Sequence, residues 1–236
     1  MGKEEIVREA VRRYDLPLTE AGVKFEDLVN HSIALIPRNY MYVYTSIQGV
    51  LEGRAKYVYH ALTERDRTMR FLNVYPTEQC MIMKLDVRTD VSSSYTFEKE
   101  MTRGICIVKV TITFDRPLKP NDETEIDLTY MIKDDIFSRK KDFLSRLYRE
   151  REGYISLQSL TSSLKVPVFS TDLNVDYFGY VVKKMELVKV LEMDDVGFPV
   201  RREPIRGRLS RTHEGGFYAS FVPQVNYVTG VFYTLE

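Results

Sequence analysis

From Tyr40 onward apolar and polar residues alternate with a period of two, the pattern of strands that bury one face and wet the other. In "YMYVYTSIQGVLEGRAKYVYHAL" two such runs surround Gly49 and Gly53, with Ala55, Tyr57, Tyr59 and Ala61 sharing a face of the second. "CMIMKLDVRTD" sets Met81, Met83, Leu85 and Val87 against Lys84, Asp86 and Arg88. The most regular stretch puts Cys106, Val108, Val110, Ile112 and Phe114 on one side. It then breaks at Pro-Leu-Lys-Pro-Asn-Asp and resumes with Ile126, Leu128, Tyr130 and Ile132. That reads as a hairpin of two antiparallel strands. "MRFLNVYP" and "SSYTFEKE" add strands before it, and "IRGRLSR", "GGFYASFVP" and "TGVFYTLE" add three short ones at the end. Strands this closely spaced, punctuated by Gly, Pro and Asp, predict a sandwich or barrel.

The first 36 or so residues follow a different period. Ile6, Val7, Ala10, Val11 and Tyr14 recur at offsets of three and four, one stripe of a helix that Pro17 ends. "VKFEDLVNHSIALI" repeats that spacing after Thr19, a candidate cap, and Pro37 closes it. Alternation also fails at "DDIFSRKKDFLSRLYREREGY", where Ile136, Phe143 and Leu147 fit a helical insertion near 136–151. The expected architecture is mostly β: an antiparallel β-sandwich over residues 39–236, with that insertion and an N-terminal helical arm at 1–38. No repeat or composition shift marks a second domain.

Composition narrows the function classes. Sixteen Tyr and twelve Phe without Trp suit pleated surfaces. Lys plus Arg equals Asp plus Glu at 34 each, so no global field recruits nucleic acid or acidic lipid. No apolar segment reaches the roughly 20 residues a membrane helix needs. The N-terminal stretch has no apolar core of a leader, and the cytoplasm is the expected compartment. Cys80 and Cys106 sit in apolar runs and read as buried thiols, a mutual disulfide being the alternative.

Catalytic signatures are absent from the pattern. There is no Gly-x-Ser-x-Gly elbow, phosphate loop or dinucleotide fingerprint, and His31, His60 and His213 lack zinc-protease spacing. No catalytic, metal or cofactor residue is therefore assigned. An enzyme would have to assemble its site from distant groups such as His60, His213, Asp134 and Asp135. His213, in "THEGG", reads as a turn residue, and His60 as a surface residue on a polar strand face. Two basic runs offer phosphate-binding forks. One is "SRKKDFLSRLYRERE"; the other carries Arg201, Arg202, Arg206, Arg208 and Arg211. Tyr40, Tyr42 and Tyr44 share one strand face, which either lines the core or is open to a partner.

Phe114, Pro117, Leu118, Pro120 and Tyr130 resemble an F-x-x-P-L-x-P-G-(D/E) turn followed by a strand ending in Tyr, with Asn121 in place of the glycine. That turn is similar to one in bacterial immunoglobulin-like β-sandwich domains, some carried behind a helix-turn-helix in regulators. The resemblance implies an architecture and supplies no functional residue. A non-enzymatic binding or regulatory module is the expected function, with a protein partner or small ligand and the capacity to dimerise. Nucleic-acid binding through the arginine runs and a hydrolase with a dispersed site are the alternatives.

Overall fold

The computed structural model describes residues 2–46, 48–65, 67–75, 79–102, 105–134, 156–177, 179–193 and 199–235. The expected insertion near 136–151 and the first basic run lie outside the described residues. Helices α1 (Lys3–Tyr14), α2 (Leu18–Ala21) and α3 (Phe25–His31) form the arm. In α1 the predicted stripe is the buried one, through Ile6, Val7 and Ala10. Thr19, read as a cap, lies inside α2 instead.

The strands are β1 (Ala34–Thr45), β2 (Val50–Ala61), β3 (Thr68–Tyr75), β4 (Met81–Thr89), β5 (Ser93–Thr102), β6 (Ile105–Phe114) and β7 (Glu123–Lys133). They continue as β8 (Ser156–Thr161), β9 (Thr171–Tyr177), β10 (Val182–Met193), β11 (Pro199–Pro204), β12 (Gly207–Arg211), β13 (Phe217–Phe221) and β14 (Val228–Leu235). Seven make one wide sheet in the order β12-β13-β9-β1-β2-β7-β4. Two smaller sheets, β3-β6-β5 and β11-β10-β14-β8, share its hydrophobic core. Pairing is antiparallel except between β1 and β9. The mostly-β expectation holds. A second cluster joins Ile6, Val7, Ala10 and Leu28 of the arm to Leu35, Leu62, Phe169 and Val225 of the β region.

The regular stretch from Val110 to Ile132 is not a hairpin. Its first strand, β6, lies between β3 and β5, whereas β7 lies between β2 and β4 in the wide sheet. Both runs bury the predicted residues, but in different sheets around one core. The Pro-rich turn is therefore an arch between layers. Leu118 plugs it at 0% exposure. Asp122 fastens it, its Oδ2 accepting from the Lys119 amide at 2.9 Å and from Arg116 at 2.7 Å. Asn121 adopts φ +71°, the left-handed region in which Asn is the usual substitute for glycine. The difference has a simple cause: alternation fixes which face of a strand is buried, not which neighbour it pairs with.

Three further expectations change. The helical segment stops at His31, and β1 starts at Ala34 with Pro37 inside it, at an irregularity between Leu35 and Arg38. Such a break is where a strand tolerates proline. In β4 a bulge between Ile82 and Lys84 resets the parity, leaving Met81 and Met83 exposed at 49% and 54% while Ile82, Leu85 and Val87 pack on the core. Cys80 and Cys106 are joined as a disulfide with their Cα atoms 5.5 Å apart, rather than lying as separate thiols. Closing a loop over a sequence separation of 26 stabilises the fold by about 3 kcal/mol on the chain-entropy account.

Aromatic contacts tie the layers together at two places. Tyr57 of β2 stacks on Phe71 of β3 at 5.4 Å, and burial pushes the Tyr57 hydroxyl up to about 12. Farther along, the hydroxyls of Tyr177 and Tyr233 meet at 2.8 Å, and Phe217 packs 5.0 Å from Tyr233. Between them the Tyr130 ring covers Gly53, its cross-strand partner, where a Cβ would occupy the ring's own space. Gly53→Ala should therefore cost about 2 kcal/mol or more in urea unfolding, as overpacked cores do. Adding Tyr130→Leu should recover part of that loss. Equal stability of Gly53→Ala and the parent would show that the ring is not wedged there.

Candidate functional site

The tyrosines of β1 do not line the core. Inward positions belong to residues such as Asn39 and Val43, and Tyr40, Tyr42 and Tyr44 stand on the outer face, Tyr40 at 39% exposure and the others half-buried. Their neighbours in register are Lys56, Arg54 and Glu52 on β2 and Asp172, Asn174 and Asp176 on β9. Much of the charge on this face is already matched: Arg54 grips Asp127 with two nitrogens, Lys56 meets Glu125 at 2.7 Å, and Tyr218 donates to Asp172 at 2.7 Å.

The second basic run divides between two sheet edges, Arg201 and Arg202 on β11, and Arg208 and Arg211 on β12, with Arg206 in the link. Arg202 lies over the Phe232 ring at 4.6 Å and reaches Glu186 at 3.3 Å. Arg211 donates to the Lys183 carbonyl at 2.6 Å. Arg201, Arg206 and Arg208 are exposed.

The dispersed catalytic set does not assemble. His60 pairs with Leu35 at one end of β1, whereas the turn holding His213 bonds through Thr212 to Asp176, beside Tyr44 at the other. Nine residues of strand separate those rows, about 30 Å. Asp134 is buried and accepts from the Gln79 amide at 3.4 Å, and Asp135 lies outside the described residues. Among the described residues no group of three His, Cys, Asp or Glu is placed to hold a metal ion.

His60, read from sequence as a surface residue, is 1% exposed. The arm covers it: Tyr14 donates to Glu123 and lies 3.3 Å from His60 Nδ1, and Arg13 meets Glu123 at 3.1 Å. The cluster looks like an acid–base set, but it anchors α1 to β2 and β7. Burial lowers the His60 pKa, with Glu123 opposing and Arg13 reinforcing.

A concavity that combines charge with an apolar lining lies where the small sheets meet the wide one. It is a cavity of about 500 Å³, within the range of small-ligand sites. Ile33, Ile36 and Tyr59 of β1, β2 and their approach line one part, and Thr68 to Phe71 of β3 another. Facing β3 is the segment after β8, with Lys165, Val166 and Val168, which is held to β1 by Ile33 N–H to the Lys165 carbonyl and Ile36 N–H to the Pro167 carbonyl, both 2.9 Å. Arg65, Arg70 and Lys165 bring three cations, and among the described residues no acid lines the cavity. Arg65 lies beside Tyr59, and among the described residues its Nε–H is buried without a partner. Burial raises the Tyr59 pKa against the pull of Arg65, so the phenol is neutral and adds no negative charge. Sequence reading missed this site because Lys165 lies about 100 residues from Arg65 and Arg70 in the chain and only the arch and the β1 contact bring them together.

The His60 cluster gives a pH dependence with a defined sign. The folded pKa is below the unfolded value of 6.5, so unfolding takes up a proton and stability falls as pH drops through about 6.5. Urea titrations from about pH 8 to 5.5 should show that loss, and His60→Gln should flatten it. An unchanged slope in the variant would remove His60 as the cause.

No protein-family model matches the chain, and no curated protein matches it. Among solved structures it is similar to an M1 zinc metallopeptidase from Deinococcus radiodurans, at 13% identity and TM-score 0.33, covering 85% of this chain and 42% of that one. It is similar to a candidate protease from Parabacteroides distasonis at 8% identity and TM-score 0.43, covering 86% and 40%. A candidate nutrient binding protein from Legionella pneumophila gives 10% identity and TM-score 0.38, covering 86% and 68%. The chain thus spans about two-fifths of the first two proteins, and likeness at this level identifies no activity.

Proposed function

We propose that this protein is a non-enzymatic binding module that holds an organic anion with an apolar portion in the cavity beside β3. The observation that carries this reading is the lining itself: three cations and no acid among the described residues around an apolar floor, with a buried Arg65 Nε–H that has no partner among them. A carboxylate supplies what that donor lacks, and a charge-assisted hydrogen bond of this kind contributes about 1.5–3 kcal/mol. Ile33, Ile36, Phe71 and Val168 receive the apolar part. Each buried methylene adds about 0.8 kcal/mol. Hydrolysis is less well supported, because among the described residues no histidine or carboxylate lines the cavity. The Cys80–Cys106 bond favours an oxidising compartment over the cytoplasm expected from sequence.

Titration with hexanoate and with hexanol, followed by NMR shifts of the cavity residues, tests the reading. Hexanoate should bind, hexanol at least about tenfold more weakly, and Arg65→Gln should remove the difference. Arg70→Gln, at an exposed position, should weaken hexanoate without touching the fold. Equal binding of acid and alcohol to the parent would overturn the assignment.

A further inference from the structure

Four consecutive residues of β3, Thr68 to Phe71, line the cavity. Successive side chains of a strand point to opposite faces, so a space touched by all four lies against the strand's edge. Among the described residues that edge is open, because β3 is the outermost strand of its sheet, with β6 on the other side. The phase of the ladder says which groups face the opening. Phe114 N–H bonds the Arg67 carbonyl at 2.7 Å, and the register pairs Met69 with Ile112 and Phe71 with Val110. In an antiparallel ladder the alternate residues turn outward. The amides and carbonyls of Thr68 and Arg70 therefore point away from β6, toward the cavity.

We propose that the cavity takes the extended C-terminal end of a polypeptide, added antiparallel to β3 with its terminal carboxylate on Arg65. This rests on the anion-binding reading above and names the class of anion. Arg65 precedes β3, so a carboxylate held there places the end of the guest beside the start of the strand, which is the antiparallel direction. A guest main chain satisfies the outward groups of Thr68 and Arg70, as a purely hydrocarbon tail does not. The floor of Ile36, Phe71 and Val168 takes an apolar last side chain, and the next one turns toward the mouth between Arg70 and Lys165. At about 3.4 Å per residue, three or four residues extend over Thr68 to Phe71.

The test uses the full chain and fluorescein-labelled Ala-Val-Thr-Val-Leu as free acid, as C-terminal amide, and as two acids N-methylated at adjacent residues, read by anisotropy. The acid should bind and be displaced by hexanoate, with the amide at least about tenfold weaker. One N-methylated peptide should lose at least about tenfold and its neighbour little, because only alternate amides face β3. Amide and acid binding alike, or both methylated peptides binding like the parent, would overturn the proposal. If hexanoate binds through Arg65 but no peptide does, the anion site stands and the peptide assignment falls. If neither binds, both fall.

Discussion

Two apolar strand faces, Cys106 to Phe114 and Ile126 to Ile132, are buried in one core from separate sheets, and the rest of the molecule is arranged around that contact. Because the strands are consecutive, the chain has to change layers between Asp115 and Asp122. Leu118, buried at the bend, and Asp122, gripping Lys119 and Arg116, hold the arch in place. The arch also positions the approach to β3, since the Arg65 amide bonds the Leu118 carbonyl at 2.9 Å. One turn thus sets both the change of sheet and the cation at the cavity.

Much of this architecture is legible in the sequence. A period of two marks β6, β7 and β2, and a period of three to four marks α1, because burial on one side imposes those spacings directly. Partner choice is not legible, since Ile112 and Leu128 read the same whether their strands lie side by side or in opposite layers. Local irregularities defeat alternation too: the β4 bulge turns Met81 and Met83 outward, and Pro37 sits within a strand where it reads as a stop. His60 shows the third limit. Its place on a polar strand face is correct, but a helix whose Tyr14 lies 46 residues earlier in the chain closes over it.

The site was less legible still. Tyr40, Tyr42 and Tyr44 do share an open face, yet the neighbouring charges there are largely matched within the sheet. The five arginines of the second basic run divide between edges, and two of them are engaged by Glu186 and the Lys183 carbonyl. The cavity instead arises where the second layer is made of two small sheets rather than one. Among the described residues, a three-stranded and a four-stranded sheet over a seven-stranded one leave a strand edge uncovered, and Arg65, Arg70 and Lys165 gather beside it. Proteins usually blunt such edges with charge or cover. Here the charge on the described lining residues is all of one sign around an apolar floor, which suits a guest of opposite charge as well as it deters self-association.

Amide hydrogen exchange resolved by residue measures whether β3 presents a bare edge to that cavity. In the free protein the Thr68 and Arg70 amides should exchange on the order of 100-fold faster than those of Met69 and Phe71, which bond to β6. Slow exchange at all four positions would mean that the edge is already paired, and would contradict the account.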